Sequence, residues 1–144
     1  VKSFLSDTSS FSPEWSGSIL RMLPESVRGA YPLLREHLRI LSAGICIGEA
    51  KGKDFIPAEE LALSTALRPD AFPVADLDWD DAIRYLKKEA LLLPAGTEKG
   101  YVLVRHKKFP LGFAKHLGNR ANNLYPQEWR IRTGYIPEQV KTFE

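Results

Sequence analysis

Two short apolar runs around a basic turn constrain this chain more than any other feature. Tyr101–Arg105 (YVLVR) and Leu111–Lys115 (LGFAK) flank the five residues HKKFP. β-branched and aromatic residues on both sides of a turn of that length predict an antiparallel hairpin. Gly112, inside the second run, predicts a bulge or a close approach by another backbone.

The hairpin leads into the most distinctive stretch of the chain, Leu111 to Arg132, LGFAKHLGNRANNLYPQEWRIR. Lys115, His116, Asn119, Arg120, Asn122, Asn123, Tyr125, Trp129, Arg130 and Arg132 fall within these 22 positions, held by Gly112, Gly118 and Pro126. From Arg105 to Arg132 there are 7 Lys or Arg against 1 acid, whereas the other residues hold 13 basic and 17 acidic groups. The net charge of +2 therefore hides a basic end on a mildly acidic body. Such asymmetry suits a polyanion-binding face, and a solvated basic surface is the plain alternative.

Each residue type in the stretch has a matching use on RNA. Lys115, Arg120, Arg130 and Arg132 are candidates to neutralise phosphates. Asn119, Asn122 and Asn123 offer donors and acceptors to base edges and ribose hydroxyls. Tyr125 and Trp129 are candidates to stack on bases. His116 lies among them, and Lys51 and Lys53 form a second basic turn with Gly52. Structural readings stand beside these: Tyr125, Pro126 and Trp129 as a packed corner, Asn119 as a helix cap, Asn123 as a turn residue.

A chain of 144 residues forms one domain, or one domain with a small appendage. The single cysteine, Cys46, excludes an internal disulfide and reads as a small core residue between Ile45 and Ile47. No run of 18 apolar residues is present and no signal peptide is visible, so a cytoplasmic protein without a membrane partner is expected. The sequence does not begin with Met and is read as a piece of a longer protein.

Along the chain, residues 1–18 are rich in Ser, with Pro13 and Gly17, and read as a linker, although Phe4, Leu5, Phe11 and Trp15 are odd in one. Residues 19–90 read as a helix-rich first part. It holds a helix over Leu23–Ala43 with Leu34, Leu38 and Leu41 on one side and Gly44 as cap, then a strand over Gly44–Lys51. A helix over Pro57–Leu67, a short strand within Ala71–Leu77 and a helix over Asp78–Lys88 follow. Residues 91–136 read as a second part packed on the first. Strands are expected at Ala90–Leu93 and Trp129–Arg132, and one or two helical turns within Asn119–Tyr125. Residues 137–144 read as a tail.

Catalytic chemistry is missing from the pattern. There is no G-x-S-x-G, no plausible Cys–His pair and no Gly-rich dinucleotide turn, and His37, His106 and His116 are isolated. GEAKGK fails as a phosphate loop, because Ile47 stands where the first Gly belongs and Asp54 where Ser or Thr belongs. The acids Asp76, Asp78, Asp80 and Asp81 are explained by helix-start chemistry. A binding module is the expected class.

Pro110–Arg132 resembles the C-terminal signature of the Sun-family rRNA cytosine 5-methyltransferases of the RsmF type: a Gly-containing strand, a Lys, Gly-Asn-Arg, Asn-Asn, Leu-Tyr-Pro and a basic end. Gly48–Leu67 and Asp81–Val104 are similar to the stretches those enzymes carry ahead of it. The resemblance spans roughly residues 20–134. It implies an α+β fold, a PUA-like mixed β-barrel with short helices preceded by a small helical segment, that binds ribosomal RNA. It also implies a methyltransferase domain, N-terminal to this region, that uses S-adenosylmethionine and a cysteine nucleophile. Cys46 lies inside the RNA-binding part and does not match that nucleophile. The expectation is thus a monomeric RNA-binding chain with no cofactor or metal of its own and no methyl transfer, partnered by its own methyltransferase domain. The alternative is a protein-interaction or structural module that docks on that domain.

Overall fold

The structure, a computed structural model, describes residues 4–135 and Glu138. Apart from Glu138, the expected tail at 137–144 lies outside the described residues. The chain divides into two compact units, Val1–Ala71 and Phe72–Glu144.

The first unit is built on a four-stranded antiparallel sheet in the order β1-β2-β3-β4, where β1 is Phe11–Ser16, β2 Ile19–Pro24, β3 Ile45–Lys51 and β4 Asp54–Pro57. Gly17, at φ +59°, lets the chain reverse between β1 and β2. Helices α1 (Glu25–Arg28) and α2 (Tyr31–His37) lie between β2 and β3, and α3 (Glu59–Leu63) follows β4. Leu5, Leu23, Ile47, Leu61 and Ala62 are buried in this unit. Cys46 is half-buried; burial pushes its thiol up, and its N–H donates to the Glu60 carboxylate at 2.8 Å.

Two expectations fail here. Residues 1–3 of the expected linker lie outside the described residues, and residues 4–18 are no linker: Phe11–Ser16 pairs along its length with β2, and Leu5 bridges to Leu67. Serine-rich composition hid an edge strand, the one place in a sheet where a residue such as Pro13 is tolerated. The helix over Leu23–Ala43 is replaced by the end of β2 and two short helices with no buried residue. The spacing of Leu34, Leu38 and Leu41 matched a helical period without a surface in this unit to cover it, and Leu41 is 85% exposed. The small helical segment is therefore a β-sheet unit. Gly44 does not cap a helix; at φ +64° a Cβ there would sit 2.2 Å from the Met22 carbonyl oxygen, so only glycine lets β2 and β3 approach.

The second unit is a mixed four-stranded sheet in the order β5-β6-β7-β8, with β5 Val74–Asp76, β6 Gly100–His106, β7 Phe109–His116 and β8 Ala121–Asn123. β5 runs parallel to β6, and the other pairs are antiparallel. The parallel connection carries α4 (Trp79–Leu86). Asp78 caps α4 as expected, accepting from the Asp81 N–H at 2.9 Å, with Asp80 and Asp81 in the first turn. The helix ends in a Schellman arrangement: the Lys88 N–H donates to the Tyr85 carbonyl and the Glu89 N–H to that of Arg84. This places Lys88 in the left-handed region, φ +61°, and its ammonium donates to the carbonyls of Asn123 and Tyr125.

Tyr85, Leu77, Ala82, Leu91, Val104, Ala114 and Ala121 form the core between α4 and the sheet. On the other side of β7, Phe113 is fully buried and meets Phe72 edge-on at 4.7 Å. The predicted hairpin is present with its bulge, the register shifting between Val104 and Arg105 opposite Gly112. Its turn is tighter than the expected five residues, because His106 and Phe109 pair and only Lys107 and Lys108 remain outside the ladder.

Residues 121–123 form β8 rather than a helical turn, and the expected strand at Ala90–Leu93 is reduced to one bridge, Leu91 to Ala121. The expected closing strand at Trp129–Arg132 is a 3-10 turn, Gln127–Trp129, then irregular chain; the Leu86 carbonyl at the end of α4 takes the Ile131 N–H instead. The sheets are not closed into a barrel. Closure would need the edge strands β5 and β8 to find partners, and each has only three residues. The division at Ala71/Phe72, rather than at 90/91, follows from β5 and α4, which build onto β6 and so belong with the hairpin.

Candidate nucleic-acid interface

Register decides which of the polar residues meet. Tyr101, Lys115 and Asn122 are partners across β6, β7 and β8, so their side chains project from one face. The neighbouring row, Val102, Ala114 and Asn123, projects to the α4 side. The Lys115 ammonium sits 4.9 Å from the centre of the Tyr101 ring and 3.4 Å from its hydroxyl oxygen. This cation–π contact orients the ammonium. Asn122 is exposed beside it.

The turn from β7 to β8 extends this row. The Leu117 N–H donates to the Arg120 carbonyl at 2.9 Å, and Gly118 takes φ +103°. Asn119 and Arg120 are exposed on the turn, and Asn119 caps no helix. His116 is anchored at its base, with Nδ1 3.1 Å from the Glu98 carbonyl oxygen. Lys99 lies against Gly118, close enough that a Cβ there would meet its side chain at 2.7 Å. Tyr101 and Lys99 were missed from sequence. The pairing of Gly100 with His116 is the signal that brings both to this end of the sheet.

Other candidates fall elsewhere. Arg130 and Arg132 are exposed on either side of Ile131 and, with Lys87, Glu89, Thr133 and Gly134, line a shallow hollow of about 300 Å³. Lys51 and Lys53 are exposed at the β3–β4 turn of the first unit. Two residues are engaged inside the fold. The Asn123 amide donates to the carbonyls of Tyr85 and Glu89 and accepts from the Tyr125 N–H. The Tyr125 ring packs edge-on against Tyr85 at 5.4 Å and Trp129 at 6.4 Å, the packed corner.

Among the described residues, Arg120, Arg130, Arg132, Lys107 and Lys108 have no carboxylate within ion-pair distance, whereas Arg105 is held by Asp76. No group of three or more His, Cys, Asp or Glu among the described residues is arranged to hold a metal ion. No helix there is long and apolar enough to cross a membrane.

An open mixed sheet backed by one helix, with cations at its strand ends, fits the PUA class of small α+β domains. Residues 72–131 match the family model of the methyltransferase RsmF PUA domain, beginning where the second unit begins, so this unit is a PUA domain of the RsmF type. Relatives named ribosomal RNA small subunit methyltransferase F resemble a longer part of it. The protein from Shewanella baltica strain OS195 is 32% identical over 110 residues, 73% of this chain and 22% of the relative. The one from Shewanella pealeana is 32% identical over 92 residues, 63% of this chain and 18% of the relative. The chain thus spans about a fifth of the length of these relatives.

Proposed function

We propose that this chain is the RNA-binding part of an S-adenosylmethionine-dependent rRNA (cytosine-5-)-methyltransferase of the cytoplasm. It positions ribosomal RNA for a catalytic domain outside the chain and transfers no methyl group by itself. The carrying observation is the Tyr101–Lys115–Asn122 row continued by the Arg120 turn, on a domain of the RsmF PUA family. Lys115, Lys99 and Arg120 bind phosphates at this end of the sheet, and Asn119 and Asn122 reach sugar or base edges. Arg130 and Arg132 add phosphate contacts at the hollow beyond α4. Methyl donor and nucleophile belong to the remaining domain; Cys46 lies in β3 of the first unit, outside that domain, where burial pushes its thiol up.

Titration of labelled small-subunit ribosomal RNA fragments at several salt concentrations tests this reading. About 3–5 phosphate contacts give a log–log slope near −2 to −3.5 on single strands. Lys115→Ala and Arg120→Ala should each weaken binding and flatten the slope by about 0.7, with unchanged melting temperature for Arg120→Ala. Binding by both variants equal to wild type at low salt would refute it.

A second reading has its own support. Trp15, Leu33, Leu38 and Leu41 of the first unit are exposed, and Trp15, Leu38 and Leu41 line one hollow of about 330 Å³. Such a face suits docking on the methyltransferase domain that makes up the rest of such a protein. Loss of association with that domain in Trp15→Ser and Leu41→Ser variants supports it, and unchanged association removes it.

A further inference from the structure

The tip of the β6–β7 hairpin has no part in the site above, and its backbone is unusual. Lys107 and Lys108 form the whole turn, with φ +46° and +73°. Consecutive positive φ values define the primed hairpin turn that Asn-Gly ordinarily fills, because a side chain with a Cβ is disfavoured in the left-handed region. Lys88 is the other non-glycine residue at positive φ among the described residues, and two carbonyls hold its ammonium. Lys107 and Lys108 have no such compensation: both are exposed, with no partner among the described residues. Two lysines thus occupy positions their backbone disfavours, which points to a use for their side chains beyond the hairpin.

The adjacent residue is equally informative. Phe109 is 66% exposed at the end of β7 and follows the two lysines directly in sequence. Below the tip the hairpin is firmly held. Arg105 donates twice to Asp76, at 2.6 and 2.8 Å, His106 Nδ1 lies 2.9 Å from the Leu77 carbonyl oxygen, and the His106 ring meets Trp79 edge-on at 5.8 Å. Most of the acids near this base are engaged: Asp76 by Arg105, Asp78 by the Asp81 N–H, Asp81 by Arg84 at 3.7 Å. The tip therefore presents an open aromatic face and two free cations on a rigid support.

We infer that this tip is a second RNA contact that takes an unpaired nucleotide: Phe109 stacks on the base, and Lys107 and Lys108 hold the flanking phosphates. This rests on the reading of the second unit as RNA-binding. A ring flanked by cations fits a single strand, where every base offers a π-face and every linkage a charge. An apolar protein partner would have to desolvate both unpaired ammonium groups. The tip and His116 mark opposite ends of the eight-residue β7, about 23 Å apart. Phe109, the partner of His106, projects to the α4 side, so a strand that engages both ends crosses from one face of the sheet to the other.

The experiment measures affinity of the full chain for a short single-stranded RNA from small-subunit ribosomal RNA and for its duplex. It compares wild type with Lys107→Asn/Lys108→Gly, Phe109→Ala and Arg120→Ala. The double variant should melt at a higher temperature, since Asn-Gly relaxes the turn. It should nevertheless bind single strands about 10-fold more weakly, with a salt slope reduced by about 1.4. Phe109→Ala should weaken single-strand binding about 10-fold at unchanged slope, and duplex binding much less. If both tip variants bind like wild type while Arg120→Ala loses affinity, the tip contact is wrong and the reading of the sheet end survives. If wild type binds neither RNA, both are wrong.

Discussion

The Tyr85 hydroxyl donates to the Phe113 carbonyl at 3.0 Å, from a side chain with no exposed surface. Helix α4 is thereby tied to the middle of β7, the strand that carries Lys115. The Phe113 carbonyl also accepts from the Leu124 N–H at 3.2 Å, so the point of attachment serves α4, β7 and the end of β8 together.

Tyr85→Phe should therefore cost only about 0.5–1.5 kcal/mol, because the carbonyl keeps one of its donors. Tyr85→Ala should cost about 3–5 kcal/mol through the cavity left against Val104 and Ala114. Urea titrations of the three proteins check both values, and a Tyr85→Phe loss as large as that of Tyr85→Ala would contradict this account of the site.

Asn122 and Asn123 are sequence neighbours with opposite duties. Asn123→Ala should lower stability by about 1–3 kcal/mol, since the Glu89 carbonyl and the Tyr125 N–H lose a partner, while the Tyr85 carbonyl keeps the Lys88 N–H. Its RNA affinity should stay within about 2-fold of wild type where the protein is folded. Asn122→Ala should do the reverse, leaving the melting temperature in place and weakening RNA binding. Thermal melts paired with binding titrations separate the two.

Acid should act at the hairpin base. The Arg105 guanidinium, hydrogen-bonded to Asp76, holds the Asp76 carboxyl below its usual value. A folded-state pKa depressed in this way gives stability that is fully present above the unfolded value, about 3.9, and is lost as pH falls through the folded one. Asp76→Asn should thus be less stable than wild type by under about 1 kcal/mol at neutral pH, the pair being largely solvent-exposed. The difference should shrink below about pH 4. Melting temperature against pH for both proteins measures it.

The second unit was largely legible in sequence, and the first was not. The hairpin, its glycine bulge and the acidic start of α4 are local signals, set by neighbours within a few residues, and they are found where the sequence placed them. β8 and the chain after Pro126 depend on distant partners. Asn123 is fixed by carbonyls of Tyr85 and Glu89, and Ile131 by that of Leu86, which no local pattern announces. β1 failed for a related reason: an exposed edge strand carries little apolar alternation, and its serines look like those of a linker. At the site, residue types suggested RNA, but register decided which side chains share a face. That removed Asn123 and Tyr125, engaged inside the fold, from the candidate set and added Tyr101 and Lys99.

β7 is hydrogen-bonded on both sides, to β6 and to β8. Its two ends are therefore fixed points on one stiff bar, with the lysine turn at one and the Arg120 loop at the other. The distance between them is set by peptide geometry and tolerates no adjustment by side-chain rotation. A ligand too short to reach across must choose one end, and one long enough gains the second grip without a new diffusive search. Affinity should consequently rise in a step with RNA length instead of in even increments.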